Sequence, residues 1–74
     1  MPLAEVKVIE GVFSDQQKQE MVTRVTDAIV SVEGEELRGK TWVIVEEVKS
    51  GDWGIGGKAL RTEDVRPLVA GAAT

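Results

Sequence analysis

The chain has 74 residues, with nine Lys plus Arg against thirteen Asp plus Glu, a formal net charge of −4, and neither cysteine nor histidine. One small domain spanning residues 1–74 is expected, burying only about 60% of its unfolded surface, and without cysteine or histidine it is expected to gain support from oligomerisation rather than from disulfides or a metal. The acidic balance without a basic cluster argues against nucleic acid, and no stretch reaches the roughly 18 apolar residues of a membrane span or resembles a signal peptide, so a cytoplasmic protein is expected.

Residues Pro2 to Ile9 alternate, with Pro2, Ala4, Val6 and Val8 on one face and Leu3, Glu5, Lys7 and Ile9 on the other, the pattern of a half-buried strand. Ser14 followed by Gln17 resembles a capping box and predicts a helix from about Asp15. Met21, Val25, Ala28, Ile29 and Val32 make its apolar stripe, and Gly34 is its stop. After a polar connector over Glu35 to Gly39, the β-branched run KTWVIVEEV predicts a second strand. Lys40, Trp42, Ile44, Glu46 and Val48 share one of its faces, and Thr41, Val43, Val45 and Glu47 the other.

Strand, helix and strand in that order suit a right-handed β-α-β unit with parallel strands, hence an α/β fold. One helix covers one face of such a pair, and the other face is expected to be covered by further subunits. The segment SGDWGIGGKAL carries four glycines between Gly51 and Gly57 and predicts a short hairpin. As a phosphate loop it lacks the Lys-Ser or Lys-Thr that should follow the glycines. The variable tail over 60–74 holds one helical turn, with Asp64 as its cap and Pro67 in its first turn, and is expected to fray beyond Ala70.

With no histidine or cysteine, and with Ser14, Ser31 and Ser50 lacking a basic partner at a recognisable spacing, the usual nucleophiles and bases are missing. Pro2 is different. Removal of Met1 would leave a secondary amine whose α-amino group titrates near about pH 7.7–8.0, and burial or a nearby cation would favour its neutral form. Such an amine takes a proton from carbon, whereas with Met1 retained the nitrogen is a tertiary amide.

Met-Pro before an alternating strand, then IEG, SDQQKQEMVTRVTDAI, WVIVEEV and GDWGIGGKAL, together resemble the 4-oxalocrotonate tautomerase family over about residues 2 to 60. The resemblance implies a β-α-β protomer with a glycine-rich hairpin, a dimer with a four-stranded sheet, and a hexamer of three dimers. It implies Pro2 as general base in a keto-enol proton transfer, with no cofactor and no metal, and Trp53 as the hairpin aromatic that lines the pocket. The sequence departs from the family at its substrate-binding arginines. Val12 and Phe13 stand where the first is expected, with one extra residue, and Trp42 replaces the second.

A bidentate arginine supplies charge and geometry that an apolar side chain does not. Efficient turnover of the dicarboxylate 4-oxalocrotonate is therefore not expected; a small apolar acid or ketone suits Val12, Phe13, Trp42 and Trp53 better. Lys40 and Arg61 are the candidate cations for a carboxylate, and packing at a subunit interface is the alternative for both tryptophans. Two other readings follow from the lost arginines. One is a complementing subunit of a hetero-oligomer with an arginine-bearing homologue, in place of a homohexamer. The other is a hydratase or dehalogenase type, in which Glu46 or Glu47 activates water.

Overall fold

The alternating residues at the start of the chain form β1 (Leu3–Ile9), and the apolar stripe after them forms α1 (Asp15–Glu33). A 3-10 turn (Glu35–Lys40) leads into β2 (Trp42–Val48), followed by β3 (Trp53–Ile55), β4 (Lys58–Leu60), α2 (Thr62–Val65) and a second 3-10 turn (Arg66–Leu68). These elements belong to a computed structural model that describes residues 1–69; the fraying expected beyond Ala70 lies outside the described residues. β1 pairs with β2 and β3 with β4, the expected β-α-β arrangement with a C-terminal hairpin. Two compact units divide the chain, one of Met1–Val6 and Asp15–Glu46, the other of Lys7–Ser14 and the described residues from Glu47 onward.

In the first unit, the Trp42 N–H donates to the Pro2 carbonyl at 3.0 Å, which fixes the start of both strands. Ala4, Val6, Val43 and Val45 are half-buried on one side. Leu3, Trp42 and Ile44, on the opposite faces of their strands, stay 56%, 60% and 39% exposed. From α1, Met21, Val25 and Ile29 are half-buried and Val30 is 6% exposed. The expected stripe differs here, because Ala28 is exposed and Val32 is 89% exposed. At about 100° per residue Val32 falls between Met21 and Val25 around the helix and Val30 about 100° beyond Ile29, so the buried face is rolled past the Ile29 edge of the expected stripe rather than centred on it.

Gly34 ends α1 at φ 101°, a positive angle that a side chain would strain, and its N–H donates to the Val30 carbonyl at 2.9 Å. The polar connector is itself ordered as the first 3-10 turn. Arg38 donates through Nε to Glu35 Oε1 at 2.6 Å and through Nη1 to Asp27 Oδ1 at 2.8 Å, tying that turn back to α1. The Arg38 hydrogen bond holds the Glu35 carboxyl below the ordinary carboxylate value, against a smaller opposing effect of desolvation. The stability this contributes is present above the ordinary carboxylate value and is lost as pH falls through the lowered one. In an NMR titration Glu35 should therefore protonate below the ordinary range, and Arg38→Gln should return it there.

In the second unit, the Glu10 N–H donates to the Val48 carbonyl at 2.8 Å. Pairing thus moves forward along both strands, from Pro2 with Trp42 to Glu10 with Val48, so β1 and β2 run parallel. Val8, Ile9 and Val12 are 8%, 6% and 7% exposed and form the core here. β3 and β4 pair antiparallel with Trp53 opposite Leu60 and Ile55 opposite Lys58. Gly56 and Gly57 form the two-residue turn at φ 59° and 82°, the pair of positive angles that a hairpin turn of this length favours.

A small clasp fastens the tail. Thr62 donates from Oγ1 to the Glu10 carbonyl at 2.5 Å and from its N–H to Ser50 Oγ at 2.9 Å, while the Ser50 N–H donates to Glu10 Oε1 at 3.1 Å. Ser50→Ala removes the acceptor of the Thr62 N–H and should cost about 1 kcal/mol. In a domain of this size that lowers Tm by about 4–8 °C, measurable by circular dichroism. Asp64 is not the cap of α2 but its third residue. The cap position is Arg61, whose side chain offers no acceptor, so Asp64 Oδ2 reaches back to accept the Arg61 N–H at 2.9 Å. No helix among the described residues is long and apolar enough to cross a membrane.

Candidate active site

Pro2 lies immediately before β1 and is half-buried. Its ring fixes φ, and the hydrogen bond from Trp42 to its carbonyl holds the residue from the other side. Met1 precedes it and is 79% exposed. While that peptide bond exists the Pro2 nitrogen is an amide; once it is cut the same atom is a secondary amine on a fixed ring. Trp42 therefore neighbours Pro2 through the backbone, while its indole stands on the exposed side with Leu3 and Ile44. Lys40 closes the 3-10 turn two residues earlier and is exposed.

The second unit gathers three of the residues singled out in the sequence. Val12, Phe13 and Trp53 line one hollow of about 280 Å³. Val8 and Ile9 of β1, Ile55 and Leu60 of the hairpin and Val65 of α2 complete its apolar wall, and among the described residues Lys7 is its one ionisable lining residue. Local structure explains the gathering. The β3–β4 register sets Trp53 beside Leu60, and the clasp of Thr62 on Glu10 sets the start of α2 against the end of β1. Val12, at 7% exposed, is a packing residue of this wall, whereas Phe13 is half-buried.

Arg61 belongs to the second unit but does not line the hollow. Its guanidinium lies against the turn at Gly51, where an added Cβ would come within 3.3 Å of Nη1, and Gly51 itself has φ 91°. Glu47 Oε2 accepts the Gly11 N–H at 3.4 Å, and Glu46 is exposed on β2. Among the described residues no group of three acids is placed to hold a metal ion. The lining residue that sequence reasoning did not single out is Lys7. The signal was present in the alternation, which puts Lys7 on the face of Ile9, one pleat away.

With this geometry in view, comparison with known proteins is specific. The family described as tautomerase enzyme matches residues 2–63. A probable tautomerase of Listeria innocua is 38% identical over 65 residues, covering 88% of this chain and 100% of its own. A probable tautomerase of Staphylococcus aureus strain Mu50 is 39% identical over 57 residues, covering 77% and 90%. Among solved structures, one of the 4-oxalocrotonate tautomerase isozymes from Methylibium petroleiphilum superposes with a TM-score of 0.71 at 31% identity, covering 78% of this chain and 90% of that one.

Proposed function

Because the chain belongs to the tautomerase family, we propose that it moves a proton between carbons of a small enolisable acid or ketone, with the Pro2 nitrogen as general base once Met1 is removed. The observation that carries this reading is the family match that begins at Pro2, a residue held by its ring and by the Trp42 hydrogen bond. A half-buried amine favours its neutral form, which is the form that accepts a proton. The amine takes a proton from one carbon of the substrate and, as its conjugate acid, returns one to another carbon, so the enzyme ends as it began.

The substrate in this reading is predominantly apolar and carries at most one carboxylate. In this reading Val12 with Phe13, and Trp42, stand where the resemblance implies the arginines that a dicarboxylate needs, and the hollow beside Trp53 offers apolar walls. Assembly into a homo-oligomer is part of the same proposal, supported by Leu3, Trp42 and Ile44 left open in the first unit. The test is the ketonisation of phenylenolpyruvate by protein whose intact mass shows loss of Met1, with turnover expected. A complementing subunit, the reading that the lost cations also motivate, would instead be inactive alone and gain turnover on mixing with an arginine-bearing homologue.

A further inference from the structure

We propose that Thr41 is a positioning residue for the reaction at Pro2, holding the proline nitrogen in place through the Trp42 N–H. The proposal rests on Pro2 as the general base and adds the residue that steadies this base. Once Met1 is cut, no peptide bond holds the nitrogen from its N-terminal side. What holds it then is the ring, which fixes φ, and the 3.0 Å hydrogen bond from the Trp42 N–H to the Pro2 carbonyl. The place of that N–H is set one residue earlier, at Thr41.

Thr41 closes the first 3-10 turn and leads the chain into β2, with φ −96° and ψ 125°. Its N–H donates to the Arg38 carbonyl at 3.2 Å. Its half-buried hydroxyl has two acceptors for its one proton, the Leu37 carbonyl at 2.8 Å and Glu33 Oε2. Glu33 is the last residue of α1, and Arg38 is tied to α1 through Asp27. Helix, turn and strand start are thus joined at Thr41, all within the first unit. A valine there would keep the branched shape that suits the start of a strand, and would lose the tie to Leu37 and Glu33. The loss matters for a base, because a misplacement of about 1 Å costs about 100-fold in rate.

Two readouts separate the link from the chemistry. In Thr41→Val, hydrogen exchange of the Trp42 N–H should quicken about fivefold, the equivalent of one hydrogen bond, while the Glu10 N–H, paired with Val48 at the far end of the strands, keeps its native rate. With phenylenolpyruvate and protein lacking Met1, kcat of Thr41→Val should fall about tenfold at little-changed KM, and Thr41→Ser should restore it. Thr26→Val removes a hydroxyl bond of the same kind, to the Val22 carbonyl at 2.7 Å, and should leave both readouts as they are. Glu33→Ala keeps the bond to Leu37, so it should show both changes at smaller size, and it carries the test if Thr41→Val does not fold. Native Trp42 exchange or native kcat in Thr41→Val, an equal fall in Thr26→Val, or no recovery in Thr41→Ser would overturn the assignment. Quickened Trp42 exchange in Thr41→Val with unchanged turnover in Pro2→Ala would overturn the base, and the positioning role with it, while the hydrogen-bond link itself would stand.

Discussion

Pro2→Ala should lower kcat for phenylenolpyruvate ketonisation by about 100-fold or more, with KM little changed. General bases contribute about 10²–10⁴-fold, and alanine keeps an amine while releasing it from the ring, so the loss begins at the lower end of that range. The fold should tolerate the change. Proline has no N–H to lose, and the Pro2 carbonyl that accepts the Trp42 N–H remains in alanine. A fall in kcat with an unaltered melting curve separates loss of the base from loss of structure. An unchanged rate would remove Pro2 from the mechanism.

The second large effect concerns where a cation is tolerated. Val12→Arg should abolish stable folding, whereas Trp42→Arg should fold and gain activity on a dicarboxylate. Val12 is 7% exposed in a wall of Ile9, Leu60 and Val65, so an arginine there buries an uncompensated charge at a cost of several kcal/mol. A chain of this length commands only about 4–11 kcal/mol at the usual stability per residue. Trp42 is 60% exposed, and a guanidinium placed there keeps its water. One charged hydrogen bond recovered in the transition state corresponds to about tenfold or more in kcat/KM for 4-oxalocrotonate. Urea unfolding of both variants and steady-state kinetics of the second check the pair. A soluble, stable Val12→Arg would contradict the packing described for the hollow, and no gain in Trp42→Arg would show that a cation at this position does not limit turnover of the dicarboxylate.

Much of the fold was legible because local signals agreed with one another. Alternation in β1 and β2, the start of α1 at Asp15, the stop at Gly34 and the paired glycines of the hairpin turn each carry a physical cause in one or two residues. What periodicity left open was the roll of α1. Ala28 and Val32 satisfy the helical spacing from Met21 better than Val30 does, yet packing in the first unit buries Val30 and leaves both of them exposed. The cap of α2 was misplaced for a related reason, since Asp64 works from inside the helix, accepting the N–H of a cap residue that has no acceptor of its own.

The site was legible in its residue types more than in its grouping. Trp53 stands far along the chain from Val12 and Phe13, and only the turn after β1, the hairpin register and the Thr62–Glu10 clasp bring them to one wall. Lys7 escaped notice because a lysine on the outer face of a strand reads as solvated surface. That Ile9 on the same face is covered is what the alternation alone did not show.

The most direct measurement of the central claim is the nitrogen resonance of Pro2 itself. The chain has two prolines, so protein labelled with 15N-proline gives two signals, and Pro67, inside the chain, supplies the amide reference. If Pro2 is the general base, one signal appears among amines and titrates at or below the ordinary α-amino range, about pH 7.7–8.0, so that the neutral base is present at neutral pH. Two amide signals that do not move with pH would mean that Met1 stays in place and that proline catalysis does not occur.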